Sequence, residues 1–294
     1  MVKDFNQSAV STRSPHAARF ADEIRVLGEL ENGPETNRVL DAFQDVPREA
    51  FAGPGPWTVR SVFYDMTSRR TPDADPRWLY HCVLVALDET KGINIGEPSF
   101  WARNLARTAV RPGSRVLQVG AGVGYYTAIL RNVAGTGGQV TAYEVNTELF
   151  HRAQENLTGQ PGIEIRHGNA ATDLDDTGEF DLIVGFAGVT HLPFCWQQQL
   201  APGGRILLPM TGSNGWGAMV LASKKADAFV GETIGWCGFY PCMGARQDAQ
   251  ARLLDALWDT KIARDGGQIC FTQAGEVADL SEPDATTQDL GRES

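Results

Sequence analysis

Long apolar runs are missing from this sequence. None approaches the ~18 residues that a membrane-spanning helix requires, and the opening "MVKDFNQSAVSTRSPH" is polar, without the apolar segment of a secretion signal. Positive charge is also short: 26 lysines and arginines stand against 36 acids, a formal net charge of −10. A chain so charged repels nucleic acid and anionic bilayers overall, so neither is expected as a partner. Cysteine is sparse and shows no pairing pattern. Cys82, Cys195, Cys237, Cys242 and Cys270 form no C-x-x-C motif and are odd in number. This argues against a disulfide framework or a zinc knuckle, and for reduced thiols in a cytoplasmic protein. No Ser-His-Asp arrangement or metal-ligand spacing is evident, and no metal is expected.

What is present is a globular composition, 42% hydrophobic and 21% charged over 294 residues, enough for a sizeable core. Residues 1–15 read as a disordered N-terminus. Residues 16–97 read as a helical and loop region, with apolar positions at helical spacing in "HAARFADEIRVLGEL" and "PETNRVLDAFQDV" and a proline- and glycine-rich stretch after them. "LYHCVLVALD" (79–88) is open between a buried strand and a short helix. From residue 98 strand and helix alternate, which predicts an α/β fold: a Rossmann-like parallel sheet covered on both faces. Two strand-like runs, "GWGAMVLASKK" and "AFVGETIGWCGFY", have no helix between them and predict a closing antiparallel hairpin near residue 244. Residues 245–275 hold a C-terminal helix and a short strand, and residues 276–294 read as an acidic disordered tail.

"RVLQVGAGVGYYTAILRNVAGTGGQVTAYEV" carries the chemistry. Gly120, Gly122 and Gly124 let a strand bend sharply into a helix and let a ligand approach bare backbone. Glu144 ends the next strand, where a carboxylate can accept both hydroxyls of a ribose. Together they indicate an adenosine-type ligand. The spacing is G-x-G-x-G, followed by Tyr125 and Tyr126, rather than the G-x-G-x-x-G of dinucleotide sites. That suits S-adenosyl-L-methionine, which has no pyrophosphate.

"VLQVGAGVGYYTAIL", "GQVTAYEV", "FDLIVGFAGVTHLP" and "QQQLAPGGRILLPM" resemble the class I S-adenosylmethionine-dependent methyltransferases. With "RVLDAFQDVPREAF" and "INIGEP" upstream, they resemble more narrowly the protein-L-isoaspartate O-methyltransferases, over about residues 20–212. A narrower likeness is to the members of that group found beside ribosomal-peptide biosynthesis genes. The resemblance implies methyl transfer to a carboxylate of a peptide or protein. It implies that Gly120, Gly122 and Gly124 line the methionine arm, that Glu144 binds the ribose with Val145 against the adenine, and that Asn169 and Ala170 sit at the adenine edge. Gln118, Tyr125 and Phe186 complete the expected cofactor set.

Three departures from the family pattern matter. Gln118 replaces the acid before the glycine bend, Asn169 replaces the acid after Gly168, and Gly96 and Asn94 replace the serine and threonine of the substrate loop. Asn94 and Gly96 are the acceptor-side candidates, with Asn94 and Glu97 as polar contacts. A carboxylate acceptor is already ionised at neutral pH and needs no base; an alcohol would need one, and His191 in "GVTHLP" is the candidate. Arg103 and Arg107, four apart on a helix, could draw an acidic peptide, or simply face solvent. Two other readings stand beside this one: a nicotinamide-dependent oxidoreductase, and a binding module without catalysis.

Overall fold

The structure, a computed structural model, describes residues 13–174, 178–225, 228–259 and 266–281. The chain divides into two compact units, Met1–Arg103 and Asn104–Ser294. Among the described residues no helix is long and apolar enough to cross a membrane.

In the first unit, α1 (Ala17–Leu27) and α2 (Pro34–Asp45) bury the stripes read from their spacing: Phe20 and Ile24 on one, Val39, Leu40 and Phe43 on the other. Phe20 meets Phe43 edge-on, with ring centroids 6.2 Å apart. Pro34 opens α2, where its missing N–H costs nothing. Arg13, expected in a disordered start, already bonds the Asp45 carboxylate at 2.6 Å. The short α3 (Glu49–Ala52) leads into a four-stranded antiparallel sheet of β1 (Thr58–Arg60), β2 (Arg69–Arg70), β3 (Leu84–Asp88) and β4 (Ile93–Ile95), in the order β2-β1-β3-β4. Then α4 (Pro98–Ala106) begins.

Only the second half of the ambiguous 79–88 stretch is strand. Its first half is held by side chains instead. The fully buried Arg48 donates to the carbonyls of Leu79 at 2.8 Å, His81 at 3.0 Å and Val83 at 2.7 Å. The Tyr80 hydroxyl donates to Glu49 at 2.6 Å, and Glu23 accepts the Cys82 N–H at 2.8 Å. These charged groups satisfy backbone that a strand would otherwise have to pair.

The second unit is built on a nine-stranded sheet. Five strands run parallel: β5 (Arg115–Val119), β6 (Gln139–Glu144), β7 (Ile163–His167), β8 (Phe180–Gly185) and β9 (Leu200–Thr211). Four continue antiparallel: β10 (Trp216–Lys225), β11 (Ala228–Gly238), β12 (Gln268–Phe271) and β13 (Val277–Ser281). The order is β13-β12-β11-β10-β9-β8-β5-β6-β7. Helices α5 (Tyr125–Val133), α6 (Thr147–Asn156) and α7 (Phe194–Gln198) connect the parallel strands, and α8 (Asp248–Trp258) follows the β10–β11 hairpin. The β8 strand is buried along nearly its whole length, as a parallel strand covered on both faces must be. Asn146 caps α6 by accepting the Leu149 N–H at 3.1 Å.

The closing region is larger than a hairpin. Val277–Ser281, expected in a disordered acidic tail, pairs with β12. Val277 is buried and its N–H donates to Gln250 at 3.1 Å. Five residues among acids carry too little periodicity to announce a strand, and the ladder offered by β12 decides it. The rest of that tail, 282–294, and residues 1–12 of the expected disordered start lie outside the described residues.

Candidate active site

The chain steps from β5 to β6 to β7 in one direction and then returns to place β8 on the other side of β5. Loops leaving the carboxyl ends of β5 and β8 therefore diverge, and a cleft opens between them. Gly120 to Gly124 form the first loop and Phe186 begins the second.

The three glycines all have positive φ, +90°, +58° and +89° for Gly120, Gly122 and Gly124, but their surroundings differ. A Cβ on Gly120 would lie 3.3 Å from the Phe186 Cβ, and one on Gly124 would lie 2.6 Å from the Leu157 Cδ1 of the α6 C-terminus. A Cβ on Gly122 would meet nothing within 4 Å. The missing Cβ of Gly124, one of the three glycines expected to line a ligand, thus faces packed side chain, whereas that of Gly122 faces open space. The bend is tied down from behind: the N–H groups of Gly120 and Ala121 both donate to the Tyr143 carbonyl at 2.9 Å.

Glu144 ends β6 beside this bend and is only 7% exposed. Its Oε2 accepts the Gly122 N–H at 2.8 Å and its Oε1 accepts the Asn146 N–H at 2.9 Å. Burial pushes its pKa upward, against the lowering effect of these backbone donors and of His167. The Val145 N–H also acts on this carboxylate, and these donors do not use all of its roughly four acceptor sites. Val145 follows at 43% exposure, an apolar side chain with no core to enter. Gly122, Glu144 and Val145 thus lie together at the bend: half-buried backbone with open space above it, a buried carboxylate and an exposed apolar side chain.

The other expected cofactor residues divide into two sets. Gln118 is fully buried; it donates to the Gly120 carbonyl at 3.1 Å and accepts the Thr127 hydroxyl at 2.7 Å, so its amide braces the bend. Tyr125 and Ala170 are also interior, and the Ala170 carbonyl accepts the Trp196 Nε1–H at 2.9 Å. Strand and helix direction sent these side chains inward, which letter spacing alone does not reveal. Phe186 and Asn169 remain half-buried. The Phe186 ring lies 5.2 Å from the ring of Tyr126. Asn169 accepts the Ala171 N–H at 3.0 Å, its own N–H donates to Asp173 at 2.9 Å, and its Nδ2 lies 2.7 Å from where a Gly244 Cβ would be. Gly244, in a stretch whose role the sequence left unread, thus belongs to this rim.

His191 is half-buried and its pKa is lowered by burial, with the charge of Glu276 opposing. Its neighbour Leu192 donates an N–H to the Gly275 carbonyl at 2.8 Å, so this residue lies by the β12–β13 turn rather than in the Gly122–Glu144–Val145 group.

In the first unit, Asn94 is half-buried and donates to the Gly92 carbonyl at 3.0 Å. The Gly96 carbonyl accepts from Arg48 at 3.4 Å. Glu97, expected as a polar contact for substrate, is buried and occupied. Its carboxylate accepts the N–H of Ser99 at 3.0 Å and of Phe100 at 2.6 Å, and the Ser99 hydroxyl at 2.8 Å, capping α4. Arg103 pairs with Glu29 at 3.5 Å. Arg48 was not singled out from the sequence, although it stands between Pro47 and Glu49 in "DVPREAF", part of the stretch that carried the family resemblance.

A parallel sheet ending in antiparallel strands, with a glycine bend after one strand and an acid after the next, is the architecture of class I S-adenosylmethionine-dependent methyltransferases. Residues 24–247 match the family model for protein-L-isoaspartate(D-aspartate) O-methyltransferase (PCMT), and the chain belongs to that family. The protein-L-isoaspartate O-methyltransferase of Koribacter versatilis is 30% identical over 244 residues, 81% of this chain and 99% of that protein. The one from Aeropyrum pernix is 32% identical over 217 residues, 73% of this chain and 74% of that protein. Among solved structures, a protein-L-isoaspartate O-methyltransferase superposes with a TM-score of 0.63 at 21% identity, over 78% of this chain and 66% of that one. A homologue from Plasmodium falciparum, solved with S-adenosyl-L-homocysteine, gives 0.59 at 19% identity, over 79% of this chain and all of that one. These two likenesses speak to the fold. The β12 and β13 strands lie beyond the matched residues.

Proposed function

We propose that this protein transfers a methyl group from S-adenosyl-L-methionine to a side-chain carboxylate, aspartyl or isoaspartyl, of a peptide or protein. Membership of a carboxyl methyltransferase family sets aside the nicotinamide reading. The observation that carries the proposal is Glu144: a buried carboxylate with free lone pairs, between backbone with room above it at Gly122 and the exposed Val145.

In this reading Glu144 accepts the ribose hydroxyls, Val145 lies against the adenine, and the backbone of Gly120 and Gly122 carries the amino-acid arm. Asn169 and Phe186 border the adenine and the arm. Gln118, Gly124, Tyr125 and Ala170 act one step back, by fixing the shape of the bend and its rim. When bound, the cofactor supplies an electrophilic methyl group. The acceptor carboxylate, with a reference pKa near ~4, is ionised at neutral pH. The protein therefore needs no general base, and alignment with exclusion of water supplies on the order of 7–11 kcal/mol. His191, neutral and beside the β12–β13 turn, supports a structural role better than a proton-transfer one. On the acceptor side Gly96 offers no hydroxyl, so Asn94 and loop backbone are left to orient the substrate.

Matched peptides with a central aspartyl or isoaspartyl residue, incubated with methyl-labelled cofactor, test this directly. Labelled ester on either peptide supports methyl transfer, and the preference between them separates peptide modification from isoaspartyl repair. Cofactor binding with no labelled product on any peptide would favour the binding module, and no cofactor binding would overturn both.

A further inference from the structure

The four-stranded sheet of the first unit has two unlike faces. One carries Val59, Val85 and Ile95, the last two buried. On the other, the register aligns Arg70, Thr58, Ala86 and Asn94 in a row across all four strands, with Arg60 opposite Leu84 in the next row. A depression on this second face is lined by Thr58, Arg60, Ser68, Leu84, Ala86 and Asn94. Its floor is small and apolar, with the Asn94 amide on one side, Arg60 on the other, and Arg70 outside the lining on the edge strand.

Among the described residues no acid pairs with the arginines at the far edge. There Arg60 bonds the neutral Ser68 hydroxyl, at 2.9 and 3.2 Å. Arg70 is exposed and has no side-chain partner among the described residues. Arg69 points the other way and is satisfied by Asp65 at 2.7 Å. Glu89, also on the depression, is held by the Thr58 hydroxyl at 2.8 Å. Residues 57–72 carry three arginines and one acid in a chain of net charge −10. The β1–β2 loop then exposes Val62, Phe63, Tyr64 and Met66, with Tyr64 79% exposed. Contiguous large apolar side chains in water mark a contact surface.

We propose that this face docks an acidic, apolar-bearing segment of the methyl-acceptor polypeptide, its acid on Arg60 and Arg70 and its apolar side chain on the β1–β2 loop. The inference rests on the reading that the acceptor is a peptide. Geometry sets the register. Three strand spacings of about 4.8 Å separate Arg70 from Asn94, and about four extended residues span that distance. An acid on Arg70 and a peptide group on Asn94 are therefore about four residues apart.

Two fluorescein-labelled peptides test this with the full chain. Both have a central aspartate and a leucine on the same flank; four residues away one has a glutamate pair, the other a glutamine pair. Fluorescence anisotropy is expected to give at least roughly tenfold tighter binding of the glutamate peptide, the scale of a charge-assisted bond, weakening with salt. Arg60→Glu with Arg70→Glu abolishes that preference, and Phe63→Ser with Tyr64→Ser weakens both peptides. Unchanged cofactor affinity together with an unchanged thermal melt and proteolysis pattern of residues 13–103 in each variant shows that the fold is intact. Equal binding of the two peptides, or a preference that survives charge reversal, overturns the proposal. So does loss, in the same variants, of binding to phosphatidylserine vesicles or of self-association in sedimentation without a peptide preference, which would assign the face to a lipid surface or to a second copy. Charge-selective peptide binding without methyl product would refute the proposed reaction and leave the docking face standing. Methylation of both peptides with equal KM would do the reverse.

Discussion

Glu144→Gln should separate stability from ligand binding. The wild-type carboxylate is buried and accepts two backbone N–H groups, yet its pKa is raised. A raised folded-state pKa means that the group's favourable contribution is present below the unfolded value of about 4.3 and is lost as pH rises through the folded value. At neutral pH ionised Glu144 is therefore a standing cost to the fold. The amide removes that cost, but its NH2 must oppose either the Gly122 or the Asn146 N–H, a loss of about 1–3 kcal/mol. The two terms oppose each other, and the thermal midpoint should move little. Binding has no such compensation. Two ribose hydroxyls donating to a carboxylate are worth about 1.5–3 kcal/mol each, whereas the amide keeps one neutral acceptor worth about 0.5–1.5 kcal/mol. A net loss of about 3 kcal/mol weakens S-adenosylmethionine roughly 150-fold. Isothermal titration calorimetry measures it, with a thermal melt as the control. Wild-type affinity should also fall on acidification through the Glu144 pKa, and that of the variant should not. A variant Kd within about threefold of wild type, with a normal melt, would refute the assignment of Glu144 to the ribose.

Three other outcomes follow from the same geometry. Gly124→Ala places a methyl against Leu157 at a left-handed φ and should cost about 2–4 kcal/mol in urea denaturation, whereas Gly122→Ala, which meets only the backbone penalty, should cost about 1–2 kcal/mol. Arg48→Met strips the Leu79, His81 and Val83 carbonyls of their donor; about 3 kcal/mol or more should be lost, with proteolytic cleavage near residues 79–83 read by mass spectrometry. His191 has a lowered pKa, so its contribution is present above the unfolded value of about 6.5 and is lost as pH falls through the folded one. Stability measured from neutral to acidic pH should therefore decline less steeply in His191→Gln, and an unchanged slope would remove His191 from the account.

The parallel strands and the bend with its acid were legible because each is a local pattern: a buried run, and glycines at a strand end with an acid at the end of the next strand. Glu97 was not, because a glutamate before a helix gives the same letters whether it caps the helix or faces a substrate. The two- and three-residue strands β2 and β1 hide among prolines and glycines, and the pairing of β1 with β3 is a non-local fact. Arg48 breaks the rule that charge stays outside, and four carbonyls distant in sequence make that possible. The extent of the closing sheet was missed for the same reason: β13 exists because β12 is there to pair with it.

The glycine bend shows why motif letters and site roles diverge. Gly120, Gly122 and Gly124 share a left-handed backbone, so the sequence treats them alike, but their missing Cβ atoms face Phe186, open space and Leu157 in turn. Gln118, Thr127 and the Tyr143 carbonyl hold the loop from beneath. A ligand on this bend meets a surface whose shape is set by residues it never touches. Substitutions should therefore sort by direction rather than by distance along the motif. Changes at Gly124 or Gln118 should register first as lost stability, with affinity following from the distorted bend. Changes at Glu144, Val145 or Gly122 should register first as lost affinity, because these groups carry little of the packing that keeps the loop in place.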